Sequence, residues 1–283
     1  MTDSLPRSVV SDIVARALAE DVGTGDITTL AIVGEDARCR AEVIAKGDGV
    51  IAGLDLAEAT FQALDPELSF ETLVEEGDRV TVGTVVARVA GRTRAILTGE
   101  RVALNFLQRM SGIATLTARY VAAVAGTKAR IRDTRKTAPG LRLLDKHAVR
   151  AGGGANHRIG LFDAVLIKDN HIRAAGGVRE AVRQARSAAP QMRVEVEAQS
   201  IAQVEEAVAA GAEMILLDNM DVSAVARAVE VMAGKCEVEV SGGVGLETAR
   251  ALAECGVDYI SVGALTHSAA ALDLSLEIGD HRQ

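Results

Sequence analysis

RVEVEAQSIAQVEEAVAAGAEMILLDN, residues 193–219, sets two patterns side by side. RVEVEAQ and EMILLDN are short β-branched or aliphatic runs, and the alanine-rich stretch between them has helical spacing. The segment therefore reads as strand, helix, strand. Outward from it, ARIRDT and DAVLIKD on the amino side and CEVEVSG and DYISVGA on the carboxyl side repeat the strand pattern, and strand centres from Val196 on recur about every 20 to 23 residues. That is the length of a β-turn-α-turn unit. Short parallel strands with helical crossovers close most readily into a (β/α) barrel. A doubly wound sheet is the alternative, but no glycine-rich dinucleotide turn opens the series.

Before residue 128 the organisation differs. Val9, Ile13, Val14, Ala17 and Leu18 lie at helical spacing between Pro6 and Asp21, with Ser4 and Pro6 as start signals. Between Arg38 and Thr98 come short β-type runs (AEVIA, GVIAGL, LSFETLV, RVTVGTVVARV, RAILT) punctuated by glycines, which predict a small sheet-bearing domain. Residues 99–125 read as two successive helices broken at Ser111-Gly112. The tail alternates Leu274, Leu276 and Ile278 with polar residues, a strand expected to return to the first domain's sheet.

Composition removes several functions. The 283 residues are 48% hydrophobic and 25% charged, enough for a sizeable core, with a formal charge of -8, 2% aromatic residues and no Trp. Nucleic-acid binding lacks both a basic face and stacking platforms. Cys39, Cys236 and Cys255 form no CxxC pair, which fits a reducing compartment. The opening residues have no basic-then-apolar leader and no window is long enough to span a membrane, so the expectation is a cytoplasmic chain.

In barrels of this kind the chemistry sits at the carboxyl ends of the strands. Those positions hold residues 133–136, Lys168, Glu197, Asp218, Ser241 to Gly243, and Gly263. Lys168 has inward parity with Leu166, as Glu195 has with Glu197 and Glu239 with Ser241, so Lys168 needs a carboxylate partner or a depressed pKa. It could be an anion-binding cation, a Schiff-base nucleophile, or part of a buried network that only fixes register. Between residues 130 and 158 lie eight Lys/Arg against two Asp, a positive island in an acidic chain that suits a small anionic ligand. Within it, Thr134, Arg135 and Lys136 leave a strand, and His157 and Arg158 follow AGGGAN; forks at Arg135 and Arg158 match carboxylates or phosphates. Arg142, Lys146 and Arg150 read instead as a solvated helix face. SGGVG, between a strand and a helix in the penultimate unit, is a phosphate-binding turn. Residues alone give a barrel enzyme for a phosphorylated or polycarboxylate anion; a Schiff-base aldolase or a non-catalytic anion sensor remain alternatives.

DTRKTAPGLRLLDKHAVRAGGGANHRIGLFDAVLIKDNHI, residues 133–172, resembles the quinolinate phosphoribosyltransferase family. GDITT from Gly25, GERVALNFLQRMSGIAT from Gly99, EVEAQS from Glu195, ILLDN from Ile215, EVSGGV from Glu239 and ISVGALTHS from Ile260 extend the resemblance over nearly the whole chain. It implies an N-terminal open α/β sandwich over residues 1–110, rejoined by 268–283, and an incomplete TIM-like (β/α) barrel over 111–267, with one strand more than the six the periodicity shows. It implies transfer of phosphoribose from 5-phosphoribosyl-1-pyrophosphate to quinolinate with decarboxylation, in NAD biosynthesis, by a homodimer or assembly of dimers without nucleic-acid or membrane partners. By motif, Arg135, Lys136, His157, Arg158 and Lys168, with Thr134 beside them, would surround the two quinolinate carboxylates, and Arg101 would reach a neighbouring subunit's site. Glu197 and Asp218 would stand beside the ribose and Mg2+, and Ser241, Gly242, Gly243 and Gly263 would cradle the 5-phosphate. Lys136, Lys168, Glu197 and Asp218 would be the catalytic set.

Overall fold

A computed structural model describes residues 4–279. The chain forms two compact units, one of residues up to Leu116 with Leu143–Gly153 and the residues from Ala269, the other of Thr117–Arg142 and Gly154–Ser268.

In the first unit, α1 (Arg7–Val22) and α2 (Ile27–Ile32) precede β1 (Arg38–Ala45), β2 (Gly49–Val50), α3 (Leu54–Leu64), β3 (Ser69–Thr72), β4 (Arg79–Val80), β5 (Val85–Arg92) and α4 (Thr93–Ala123). The helix α5 (Arg142–Ala151) and the tail strand β12 (Leu274–Ile278) complete it. Four strands make an antiparallel sheet in the order β12-β1-β5-β3, and β2 pairs with β4. The tail strand does return to this sheet, with Ala45 opposite Leu274 and Ala41 opposite Ile278. Cys39, Ala41, Val43 and Ala45, alternate residues of β1, share a buried cluster with Phe61 of α3 and Ile96, Leu104 and Leu107 of α4. One face of the sheet is thus covered by two helices.

Four expectations fail in this unit. RAILT is the start of α4, because Ile96, Ala103, Leu104 and Leu107 keep helical spacing into the same core. Ser111-Gly112 does not break the helix, which runs unbroken for 31 residues. Ser111 instead bonds both the N–H and the C=O of Ala52, at 3.0 and 3.2 Å, and a Cβ on Gly112 would run into the Ala270 carbonyl. GVIAGL is a strand only at Gly49–Val50; Val50 N–H and Ala52 N–H are satisfied by the hydroxyls of Thr115 and Ser111 rather than by a neighbouring strand. The solvated face expected for α5 is also absent: Lys146 is 2% exposed and Asp145 and His147 are buried beside it. Asp145 makes a two-pronged ion pair with Arg109 of α4 at 2.8 Å.

The second unit holds β6 (Arg130–Arg132), β7 (Val165–Ile167), α6 (Asp169–Ala175), α7 (Val178–Ala188), β8 (Val194–Ala198), α8 (Ile201–Ala210), β9 (Met214–Asp218), α9 (Val222–Met232), β10 (Glu237–Ser241), α10 (Leu246–Glu254), β11 (Tyr259–Ser261) and α11 (Ala264–His267). Six parallel strands lie in the order β6-β11-β10-β9-β8-β7. The chain is therefore mixed α/β, an antiparallel sheet unit followed by a six-stranded parallel α/β unit. The extra strand is reduced, among the described residues, to a single parallel bridge between Arg132 and Ala155. Beyond Ala155 the N–H of His157 turns to the Asp133 side chain, so the ladder stops. Register then selects the residues that face together. Asp218, Ser241, Ser261 and Arg132 are successive partners in one row, and Glu197, Leu216, Glu239 and Tyr259 in the row below. Paired residues of a parallel sheet point to the same side, so the polar residues of these apolar strands converge.

Candidate active site

A cavity of about 330 Å3 opens at the carboxyl ends of these strands. Thr134, Arg135, Lys136, His157, Arg158, Lys168, Glu197, Asp218 and Ser241, all expected from the sequence, line it together with Leu166, Leu216, Glu239 and Ser261. Gly242 and Gly243 follow Ser241 with φ of +93° and +60°, conformations that favour glycine, and a Cβ on Gly242 would strike the Asn219 side chain. They lead into α10 through the turn that Gly245 N–H closes on Thr248 Oγ1 at 3.0 Å. A Cβ on Gly263 would come within 3.1 Å of Lys136 Cδ. Arg101 is not among the cavity residues; it belongs to the first unit, is exposed, and pairs with Glu100 at 3.6 Å.

The cations are held apart from easy neutralisation. Arg135 has a buried Nε without a hydrogen-bond partner. Burial, then the Arg135 charge, holds the Arg158 guanidinium below its ordinary pKa. One Arg158 nitrogen donates to Ala164 C=O at 3.2 Å. Two guanidiniums lining one partly desolvated cavity suit an anionic ligand. Lys168 is different, since its Nζ lies 2.7 Å from Glu197 Oε2. Asp218 accepts from Asn219 Nδ2 at 3.0 Å and from Gln199 Nε2 at 3.4 Å.

Sequence reasoning passed over the groups behind these residues. Asp133, fully buried, accepts from Asn156 Nδ2 at 2.5 Å and from His157 N–H at 2.9 Å, and so ties the two basic segments together. Arg142 does the same from outside, donating to Thr137 Oγ1 and Ile159 C=O, both at 3.0 Å, and to Arg135 C=O at 3.4 Å. Glu239 is fully buried, 2.8 Å from Arg132 and bonded by the Ser261 hydroxyl; burial and the nearby Glu195 raise its pKa. Glu195 and Glu239 were marked only by their parity inside apolar strands, Asp133 only as one of the strand-end residues 133–136, and Ser261 only by its place in the ISVGALTHS motif.

Potential metal donors occur in two places. Glu197, next to last in β8, and Asp218, last in the adjacent β9, line the cavity and carry hard carboxylate oxygens. His157, Glu195 and Glu239 are the set of three, among the described residues, whose donor atoms all lie within 4.8 Å of one another. Arg132 already neutralises Glu239 in that second group, which makes it a buried ion network rather than a seat for a hard cation.

Two family models match the chain: the quinolinate phosphoribosyl transferase N-terminal domain over residues 26–111 and the corresponding C-terminal domain over residues 113–277. The chain is 45% identical over 260 residues to a probable nicotinate-nucleotide pyrophosphorylase (carboxylating) of Bacillus subtilis, covering 92% of this chain and 90% of that protein. A protein of the same description from Synechocystis is 46% identical over 282 residues, covering 98% and 95%. The solved nicotinate-nucleotide pyrophosphorylase from Francisella tularensis superposes with a TM-score of 0.95 at 41% identity, over 99% of both chains. Sequence, fold and the basic cavity at the strand ends converge, and the chain belongs to the quinolinate phosphoribosyltransferase family.

Proposed function

We infer that the chain transfers the phosphoribosyl group of 5-phosphoribosyl-1-pyrophosphate to quinolinate and releases pyrophosphate and CO2, forming nicotinate mononucleotide in de novo NAD biosynthesis. The observation that carries this reading is that one cavity is lined by both Arg135 and Arg158 and by the carboxylates of Glu197 and Asp218. The guanidiniums, with Lys136, Lys168, His157 and Thr134 around them, suit a compact dicarboxylate. The Ser241 to Gly243 turn and Gly263 suit the 5-phosphate, with backbone N–H groups ahead of α10. Arg101 is assigned to the neighbouring subunit's site in a homodimer or an assembly of dimers.

In the first step the pyridine nitrogen forms a bond to C1 of the ribose while the C1–oxygen bond to pyrophosphate breaks, its electron pair leaving with the oxygen. Positive charge grows on the ribose, and Glu197 and Asp218 stabilise it. Lys136 meets the charge growing on pyrophosphate. In the second step the ring nitrogen is cationic, so the bond to the adjacent carboxylate breaks, CO2 leaves, and the electron pair stays on the ring carbon until that carbon takes a proton. The residues' task there is orientation and exclusion of water. Mg2+, when bound, supplies charge against pyrophosphate, and Glu197 and Asp218 would hold it, largely through substrate and water.

A Schiff-base aldolase is disfavoured by the Lys168–Glu197 ion pair at 2.7 Å, which is the reverse of the charge-isolated surroundings a nucleophilic amine needs. All three cysteines are free, which supports a reducing, cytoplasmic location, and among the described residues no helix is long and apolar enough to cross a membrane. The deciding assay supplies both substrates with Mg2+ and follows pyrophosphate and nicotinate mononucleotide, with nicotinate replacing quinolinate in a parallel reaction. Nicotinate leaves one set of cations desolvated and unpaired, at a cost of roughly 1 to 3 kcal/mol for each unpaired group, and little turnover is expected. Comparable turnover of nicotinate would overturn the assignment.

A further inference from the structure

Glu195 is the least explained charge in the second unit. It stands in β8 at 6% exposure, and its Oε1 is buried without a hydrogen-bond partner. Its other oxygen lies 3.3 Å from His157 Nε2. A buried carboxylate with one half unsatisfied contributes little to folding and much to desolvation cost, so its value lies in what it does to its neighbour. Glu239 approaches the same Nε2 from β10, at 3.5 Å, and is itself anchored by Arg132 and Ser261. On the opposite edge of the ring, His157 Nδ1 accepts the backbone N–H of Arg158 at 2.7 Å.

That last bond decides where the ring proton is. An N–H donor at Nδ1 requires the lone pair there, so the proton of the neutral imidazole is on Nε2, facing the two acids. A second proton at Nδ1 would have to displace the Arg158 N–H. Both ring nitrogens are therefore engaged within the protein. His157 lines the candidate site, and with both nitrogens so engaged its ring acts there through the main chain of the next residue, whose side chain also lines the cavity.

We infer that Glu195, backed by Glu239, is a positioning residue: by holding the Nε2 proton of His157 it fixes the Arg158 backbone and thereby the direction of the Arg158 fork toward a substrate carboxylate. The inference rests on the proposed function for the identity of that carboxylate. Glu195, which is not among the cavity residues, thereby takes part in recognition without contact to substrate.

The test uses the full-length protein with Mg2+ and both substrates, as wild type, Glu195→Ala and Glu195→Gln. Loss of the acceptor in Glu195→Ala should raise KM for quinolinate roughly ten- to hundred-fold, the range for a hydrogen bond to a charged group. KM for phosphoribosyl pyrophosphate should stay within about threefold. Glu195→Gln keeps an amide oxygen for Nε2–H and should restore most of the quinolinate affinity. Long-range nitrogen–proton spectra of histidine-labelled protein, assigned with His157→Gln, should show Nε2 protonated and Nδ1 bare in the wild type and a mixed pattern in Glu195→Ala. Equal weakening of both substrates, failure of Gln to rescue, or a proton on Nδ1 in the wild type would each overturn the inference. If the wild-type protein turns over no quinolinate, the functional reading falls, and the ring-proton pattern still decides the role of Glu195.

Discussion

Replacing Arg158 by lysine keeps a charge and removes a fork. Arg158 spends one nitrogen on Ala164 C=O, leaving the rest of the guanidinium to meet a carboxylate with parallel hydrogen bonds, whereas an ammonium offers a hydrated point charge. Arg158→Lys should weaken quinolinate binding by about 1.5 to 3 kcal/mol, roughly ten- to hundred-fold, and leave phosphoribosyl pyrophosphate binding nearly unchanged; titration of both ligands by calorimetry checks this. Equal weakening would make Arg158 a phosphate ligand or a structural support. At this scale the strand ends were legible because the chemistry of such sheets sits at the carboxyl ends of the strands, and Glu197, Asp218 and Ser241 stand there in the sequence runs; the register that brings them together comes only from the fold. The links made by Asp133, Asn156 and Arg142 were not legible, because they join segments far apart in sequence and no local pattern marks them. Lys146 misled for a related reason: helical spacing reports a face, and only the fold decides whether that face meets water.

Helix α4 illustrates the same limit one level up. A serine and glycine in mid-helix read as a break, yet both are there for close approach, Ser111 to the Ala52 backbone and Gly112 to Ala270. Gly112→Ala, which would favour helix by intrinsic propensity, should instead destabilise the protein by roughly 1 to 3 kcal/mol as overpacking does, seen as a lower denaturant midpoint. A stabilised variant would mean the Ala270 segment yields freely. At the start of α3, Glu76 accepts the N–H groups of Gly53 and Leu54 at 2.7 and 2.9 Å. Burial nevertheless raises its pKa from 4.5 to about 7, outweighing those two bonds. The folded state thus holds a proton that the unfolded chain releases near pH 4.5, so stability is fully present below that pH and is lost as pH rises toward 7. Against Glu76→Gln, the wild type should lose up to roughly 3 kcal/mol over that interval, and unfolding midpoints of both proteins measured across it check the difference. A parallel pH course for the two would remove Glu76 as its source.

For the whole molecule, the 20 to 23 residue period from Val196 on marked the later strands of the parallel sheet, and the tail's alternation marked a strand for the first unit's sheet, where it pairs with β1. The membership of α5 in the first unit was not legible, since it depends on the Arg109–Asp145 pair and on buried side chains that look like a polar face in sequence. Assembly makes the last prediction. If Arg101 serves a partner's site, Arg101→Ala and Arg135→Ala proteins, each nearly inactive, should regain part of their activity when mixed and allowed to exchange subunits, because some dimers then carry one intact site. Demonstrated heterodimers without recovery would confine Arg101 to its own chain.

The pairing of β1 with β12 has a consequence in time. A ribosome makes Ala45 well over two hundred residues before Leu274, although the two end up opposite each other. At roughly 5 to 20 residues per second, about ten seconds to most of a minute separate them. Throughout that interval the edge of β1 that will receive the tail has no partner strand from its own chain, on a nascent polypeptide that neighbouring ribosomes can bring close to its copies. Truncation before Leu274, which removes β12, would make that transient exposure permanent, and the first unit, rather than the catalytic sheet, is where such a chain would aggregate.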